Sequence, residues 1–182
     1  TYQSERYSNV KEYVSTTMRM GSFINAVSST KITKNISSNK EGVKYFLTIS
    51  TEDKSFNKIL SIIDSHKNVY GTYGIHPHEA KSHKYIKSVD IIYKVNQNKK
   101  IIGIGETGLD FYYNHSEKKD QICSFEEHIL AAQEKNLPLI VHTRSAEKET
   151  IQILEKYSKK KDTKILIHCF TGTSEFAFKL LD

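Results

Sequence analysis

The stretch Ile-Ile-Gly-Ile-Gly-Glu-Thr-Gly-Leu-Asp, residues 101–110, decides the fold. It starts as an apolar run and passes into glycine and acidic residues, and four other short apolar runs occur along the chain. Strands of parallel sheets are buried on both faces and therefore have nearly continuous apolar sequences. The pattern predicts five strands, at residues 43–50, 69–75, 100–104, 137–142 and 165–168.

Segments with the three- and four-residue apolar spacing of a helix follow the predicted strands. They lie at residues 56–63, 86–93, 125–136, 151–157 and 174–181. In the second segment, Ile86, Val89 and Tyr93 form the predicted apolar face. Strict alternation of strand and helix predicts an α/β fold, built either as an open doubly wound sheet or as a barrel. Residues 1–40 contain no clear strand and receive no assignment.

The composition is that of a globular protein. Of the 182 residues, 37% are hydrophobic and 26% are charged, which excludes wholesale disorder, a collagen-like repeat and a disulfide scaffold. The length predicts one domain. Two cysteines fit a reducing compartment, and no apolar run reaches the roughly 20 residues of a membrane span. We therefore expect a cytoplasmic protein, whose net charge of +6 suits an anionic partner.

Polar side chains that can bind metal ions or phosphate follow four of the predicted strands. They are His76 and His78 after the second strand, Glu106 and Asp110 after the third, His142 and Arg144 after the fourth, and His168 after the fifth. In either α/β architecture, sites assemble at the carboxyl ends of the strands. A single histidine there is more often an ordinary hydrogen-bonded loop residue, but that interpretation would have to hold independently at successive strands. We therefore favour a metal site.

Glu106 has two further interpretations. The glycines at 103, 105 and 108 match the G-x-G-x-x-G pattern of dinucleotide-binding turns, but Glu106 would then lie against an anionic pyrophosphate, so this interpretation is rejected. Glu106 could also simply cap a turn. Imidazole and carboxylate together suit Zn²⁺, Mn²⁺ or a similar ion, and paired divalent ions serve phosphoester hydrolysis. Histidine and arginine can donate hydrogen bonds to the phosphate.

These residues, in this order, resemble the TatD family of metal-dependent deoxyribonucleases. The resemblance covers residues 42–182, and the helical segment 121–133 is part of it. It rests on Gly42-Val43-Lys44-Tyr45, Gly74-Ile75-His76-Pro77-His78, Gly105-Glu106-Thr107-Gly108-Leu109-Asp110, Asn136-Leu137-Pro138-Leu139-Ile140-Val141-His142-Thr143-Arg144 and His168-Cys169-Phe170-Thr171-Gly172. It implies a (β/α)8 TIM-type barrel with a metal site at its mouth and the hydrolysis of DNA phosphodiester bonds.

The resemblance implies a metal-binding and catalytic set of three residues. Glu106 would bridge two metal ions, and His142 and His168 would complete the second metal position. One or two divalent ions are expected as cofactor, with Zn, Mn and Mg not distinguished, and metal-activated water is the expected nucleophile. Cys169 follows His168 in a predicted strand, so it is expected to point to the opposite face and to pack there.

The resemblance also implies contacts with the DNA substrate. His76 and His78 would bind its phosphate. Arg144 would either contact phosphate or form a structural ion pair, because an arginine at a strand end can serve either role. Asp110 would stabilise the loop that carries Glu106.

The chain departs from the family pattern at both ends. The family begins with a strand carrying His-x-His, which supplies the first metal, whereas the first histidine here is His66. The family also uses an aspartate from its final strands, and a whole barrel needs about 250 residues. We expect an incomplete barrel of five to six βα units, from a truncated or split gene product, with a complementing chain as one candidate partner. An inactive fragment and a TatD-like hydrolase of another substrate remain the alternatives to a deoxyribonuclease.

Overall fold

The computed structural model describes residues 44–181, in which strands and helices alternate. The strands are β1 (Phe46–Thr48), β2 (Val69–Tyr73), β3 (Ile101–Asp110), β4 (Leu139–Arg144) and β5 (Ile165–Ile167). The helices are α1 (Phe56–Ser65), α2 (Ser88–Val95), α3 (Lys118–Lys135), α4 (Glu147–Ser158) and α5 (Ser174–Lys179), and short 3-10 segments lie at Asp53–Ser55 and Pro77–His83. No helix within residues 44–181 is both long and apolar enough to cross a membrane. The unassigned residues 1–40 lie outside the described part.

The five described strands form one parallel sheet. They lie side by side in chain order, β1-β2-β3-β4-β5, and each helix returns the chain to the start of the next strand. The sheet curls into half of a barrel. The strands follow chain order, whereas an open doubly wound sheet reverses its strand order at a switch point. The structure therefore confirms the predicted barrel-type α/β fold. All the strand ends that carry the predicted site therefore meet at one edge.

The core lies between the sheet and the helices. In α3, Phe125, Ile129, Ala132 and Gln133 are all buried, as their spacing predicts. The predicted face of α2 is wrong, because Val89 and Tyr93 are 65% and 69% exposed. The buried face of that helix is formed instead by its other apolar positions, Ile91 and Val95. The helix begins only at Ser88, so Ile86 does not set its phase.

Strand β3 is longer than predicted and connects two halves of the sheet in different registers. Its first part pairs with β2, where Ile104 lies beside Tyr73, and its second part pairs with β4, where Gly108 lies beside His142. The register shifts between Ile104 and Thr107. Glu106 lies within this irregularity and is buried.

Two glycines of β3 are required by close backbone contacts. Gly105 has a φ of +133°, and its backbone lies so close to Gly74 that a Cβ on Gly74 would overlap it. Gly108 has a φ of +129°, and a Cβ there would meet the carbonyl group of His142. Both glycines lie in the strand rather than in a strand-to-helix turn, which agrees with the rejection of a dinucleotide-binding role.

Candidate metal centre

Glu106, His142 and His168 meet at the carboxyl edge of the sheet. The Nδ1 atom of His168 lies 2.9 Å from Oε1 of Glu106, and Nδ1 of His142 lies 3.3 Å from the same oxygen. The Glu106 carboxylate is almost completely buried, whereas the two imidazoles are partly exposed. The two imidazoles therefore converge on one oxygen of the Glu106 carboxylate, at the carboxyl edge of the curled sheet.

His76 is the fourth member of this cluster. One ligand atom each from His76, Glu106 and His142 lies within 4.8 Å of the others, and the rings of His76 and His142 are 4.5 Å apart. The backbone N–H of His78 donates a hydrogen bond to Nδ1 of His76, over 3.3 Å. A neutral His76 in this arrangement carries its proton on Nε2, which leaves Nε2–H as a donor toward the cluster.

Asp110 connects two of the histidines and lies 1% exposed. The Nε2 atoms of His78 and His142 lie 2.9 and 3.0 Å from its Oδ2. Its Oδ1 accepts hydrogen bonds from the backbone N–H groups of Tyr112 and Tyr113. Burial would raise the pKa of Asp110, but the N–H of Tyr113 and the two histidines outweigh it and lower that pKa.

The ionised Asp110 fixes which nitrogen of His142 can bind a cation. A carboxylate can only accept hydrogen bonds, so His142 must donate through Nε2. In the neutral ring, Nδ1 then carries the lone pair, and this is the nitrogen that faces Glu106. A metal-binding histidine whose other nitrogen donates to a carboxylate is the usual arrangement in protein metal sites.

Burial and charge together shift the pKa values of the cluster. Burial would raise the pKa of Glu106, but hydrogen bonds from the doubly protonated form of His142 and from His168 hold it well below its ordinary value. Burial would lower the pKa of His142, and the carboxylates of Glu106 and Asp110 reverse that shift and raise it. Burial lowers the pKa of His76 to about 4, and the neighbouring His142 adds to this effect. Near neutral pH the carboxylates are therefore charged and His76 is neutral.

The donor atoms of this cluster fit a divalent transition-metal ion. Bonds of about 2 Å to a tetrahedral ion hold neighbouring ligand atoms about 3.3 Å apart. The nitrogens of His142 and His168 lie 3.3 and 2.9 Å from the Glu106 oxygen, whereas the three residues of the described chain whose ligand atoms all lie within 4.8 Å of one another are His76, Glu106 and His142, without His168. One carboxylate and two imidazoles form a mixed oxygen and nitrogen set that zinc or manganese accepts.

Comparison with known proteins identifies the family. The family model described as TatD related DNase matches residues 24–182. The chain belongs to this TatD family. An uncharacterized metal-dependent hydrolase of Buchnera aphidicola is 38% identical over 145 residues, which are 77% of this chain and 54% of that protein. A protein of Pantoea ananatis named 3'-5' ssDNA/RNA exonuclease TatD is 32% identical over 142 residues, 78% of this chain and 54% of that protein.

The fold agrees with that of two solved structures. The crystal structure of YjjV, a TatD homolog from Escherichia coli, superposes with a TM-score of 0.65 at 20% identity, and the match covers 82% of this chain and 61% of that one. An uncharacterized amidohydrolase from Saccharomyces cerevisiae matches with a TM-score of 0.59 at 22% identity, over 75% of this chain and 54% of the other. The TatD-family chain therefore spans about half the length of the curated relatives it matches.

The backbone around Glu106 is fixed by the end of β1. The N–H of Glu106 donates a hydrogen bond to the carbonyl oxygen of Ser50, over 2.7 Å. Ser50 is buried, and its own N–H donates to the hydroxyl of Thr72 in β2. On the other side, the N–H of His168 donates to the carbonyl of Val141 and so continues the β4–β5 pairing beyond β5. The segment after β1, strand β2 and the β4–β5 pair thus hold the centre in place.

Sequence reasoning missed two positioning residues on α3, Gln121 and His128. The side chain of Gln121 accepts from the N–H of Asp110 and donates to its carbonyl oxygen, over 2.8 and 3.0 Å. The N–H of Ile75 donates to Nε2 of His128, whose Nδ1 lies 2.6 Å from the carbonyl oxygen of Ser124. Both side chains are buried. Their spacing of seven residues places them on one helix face with Phe125. Two polar residues on this otherwise apolar face are the sequence feature that could have identified them.

Arg144 lies apart from the carboxylates. Within residues 44–181 its guanidinium forms no ion pair, so the described part of the chain does not support the structural ion pair that the sequence left open. It packs instead on Tyr112 and Tyr113, with its Cζ 4.1 and 4.8 Å from the two ring centroids.

The packing expected for Cys169 is wrong. The strand ends at Ile167, and Cys169 follows with a φ of +50°, exposed to solvent as a free thiol. Its Sγ lies 3.7 Å from Nε2 of His168. The left-handed turn breaks the alternation that would have directed the side chain to the opposite face.

Proposed function

We propose that this TatD-family chain is a metal-dependent hydrolase that cleaves DNA phosphodiester bonds. One arrangement carries the proposal: the imidazoles of His142 and His168 both contact one buried oxygen of Glu106, and ligand atoms of His76, Glu106 and His142 lie within 4.8 Å of one another. The family match and the names of its relatives support the same activity. A divalent ion held there would supply Lewis acidity toward phosphate and would lower the pKa of water.

The remaining side chains suit the binding of a phosphodiester. Nε2–H of the neutral His76 is available to donate to a phosphate oxygen. His78 uses Nε2 for Asp110, so its contact with substrate would have to come from Nδ1. The exposed Arg144 lies over Tyr112 and forms no ion pair within residues 44–181, so its guanidinium could donate to a phosphate. Together these groups would bind and orient the anion beside Glu106.

A TatD-like hydrolase of another substrate is the second candidate. It is suggested by the structural match to an uncharacterized amidohydrolase. That match concerns the fold and says nothing of the substrate. The imidazoles of His76 and His78 and the net charge of +6 favour a phosphate ester over an amide. We also propose, from the cysteine content, that the protein acts in the cytoplasm.

The test is metal-dependent release of nucleotides from DNA by the purified chain. Nucleotide release is measured with Mn²⁺, Mg²⁺ and Zn²⁺ and with excess chelator, and the bound metal is quantified by mass spectrometry. Glu106→Gln keeps the size of the side chain but removes the charge, so activity should fall by 100-fold or more, on the order of losing a central electrostatic group. A matched control is Glu126→Gln, because Glu126 pairs with Lys156 on the outer surface.

Three results are informative. Cleavage that needs metal and is lost only in Glu106→Gln supports the proposal. Metal binding without cleavage of DNA, but with hydrolysis of an amide substrate, supports the second candidate. Absence of both metal binding and cleavage identifies an inactive fragment and overturns the proposal.

A further inference from the structure

A cluster of aromatic rings lies beside the metal centre, in contact with the proposed phosphate-binding residue Arg144, and its two tyrosines have no part in the function proposed so far. Tyr112 and Tyr113 are 59% and 40% exposed, with their rings perpendicular and 4.8 Å apart. Arg144 lies over both rings. His115 stacks on Tyr113 at 5.6 Å with an interplanar angle of 25°. Two adjacent exposed tyrosines form an apolar surface with a cationic edge, which the rest of the described range 44–181 leaves partly uncovered.

The cluster is fixed to the candidate phosphate-binding residues. Asp110 accepts the N–H groups of both tyrosines through Oδ1 and contacts His78 through Oδ2. The ring of Tyr113 lies 5.5 Å from that of His78, edge to face. The position of the tyrosine pair is therefore set by the same carboxylate that orients His142. If a ligand were bound at the metal centre, the adjoining part of that ligand would lie next to these rings.

The chemistry of the cluster matches an unpaired nucleobase. Bases of single strands stack on exposed aromatic side chains, and arginine adds a cation–π contribution. Bases inside a duplex are already stacked on their neighbours and are not available. In Tyr112, Arg144 lies over the ring while more than half of the residue stays exposed, so ring surface is free to receive a base.

We propose that Tyr112, braced by Tyr113 and Arg144, is a stacking platform for the base next to the phosphate bound at the metal centre. Such a platform requires a base that is not paired within a duplex. This inference rests on the proposed function, because it places the stacked base relative to that site. Tyr112 acts as a specificity-determining residue, and Tyr113 and Arg144 act as positioning residues.

The experiment measures binding by fluorescence anisotropy in the presence of chelator, so that no cleavage occurs. The probes are a labelled oligothymidylate and an oligomer of the same length with abasic sites in place of the bases. Tyr112→Leu should weaken binding of the oligothymidylate by about 10-fold or more, which is the effect of losing one stacked base. The same variant should bind the abasic oligomer as the unmodified chain does. Tyr112→Phe keeps the aromatic ring, so it should bind the oligothymidylate more tightly than the abasic oligomer, as the unmodified chain does.

Tyr93→Leu is the matched control, since Tyr93 is an exposed tyrosine on α2, at 69% exposure. Circular dichroism and thermal melting establish that each variant is folded. Equal affinity of the unmodified chain for both probes, or an equal loss for both in Tyr112→Leu, overturns the platform, as does the absence of any binding. Base-dependent binding without metal-dependent cleavage supports the platform and refutes only the nuclease proposal, so the two failures are distinguishable.

Discussion

Replacement of Asp110 by asparagine should weaken metal binding without removing any proposed ligand. The oxygen of an asparagine can still accept the N–H groups of Tyr112 and Tyr113, which now lie 3.1 and 3.0 Å from Oδ1. The amide nitrogen would replace Oδ2, and its hydrogens would face the Nε2–H donors of His78 and His142. His142 would relieve this by moving its proton to Nδ1, the nitrogen that faces Glu106.

That proton must be displaced before a cation can bind Nδ1 of His142. Loss of a carboxylate partner behind a metal-binding histidine typically lowers metal affinity about 10- to 100-fold, which corresponds to about 1.4 to 2.8 kcal/mol. We expect Asp110→Asn to lower metal affinity by an amount within this range, because the two contacts that it loses are both with histidines of the site.

Isothermal titration calorimetry with Zn²⁺ and Mn²⁺ measures the effect. The control is Asp64→Asn, because Asp64 accepts a hydrogen bond from Asn98 near the end of α1, at the opposite end of the sheet. If Asp110→Asn binds both ions as tightly as the unmodified chain, Asp110 does not orient His142, and the tautomer argument is refuted. Equal weakening in Asp64→Asn would show a general loss of structure instead.

Two predictions concern stability. Burial lowers the pKa of His128 to about 4, so as the pH falls below about 6.5 the unfolded chain binds a proton that the folded chain does not. Up to about 3 kcal/mol of stability should therefore be lost by pH 4. Urea unfolding at several pH values should show that the free energy of unfolding of His128→Gln, whose side-chain oxygen can still accept from the N–H of Ile75, depends less steeply on pH. Gly105→Ala should cost at least about 2 kcal/mol, because φ is positive there and the new Cβ would overlap the backbone carbonyl oxygen of Ile140.

These two predictions have separate controls. Gly103→Ala serves for Gly105, since a Cβ there meets mainly side-chain atoms of Ile140 and Thr72 that can shift, and an equal loss in both variants would contradict the backbone argument. For His128, an acid slope unchanged by the glutamine substitution would assign the pH dependence to another group, such as the half-buried His76.

The sequence was sufficient to predict the architecture because the decisive signals are local. Apolar runs and helical spacing depend on each segment alone, and the spacing of Phe125 and Ile129 placed α3 correctly. The face of α2 was predicted wrongly because Val89 and Tyr93 are apolar but exposed, and only the packed neighbours decide which side is covered. The extension of β3 to Asp110 was also missed, because Gly105 and Gly108 favour turns until β4 supplies a partner.

The candidate site was predictable in its residue types and not in its supports. His142 and His168 follow apolar runs, and parallel strands bring their ends to one edge, so their approach to Glu106 followed from the topology. The hydrogen bonds from Ser50 and Gln121 depend on the distance between β1 and β3 and between α3 and β3. Those distances are tertiary quantities that no local pattern contains.

The serial order of the sheet has a consequence for how the molecule is made. Each described strand pairs with the strand that precedes it in the chain, so every unit can pack on finished structure as it leaves the ribosome, at low cost in loop closure. His168 follows the last of the described strands and is therefore synthesised after Glu106 and His142. A nascent chain can thus possess most of the described core before these three proposed ligands are all present, so an ion that needs all three would bind only late in synthesis.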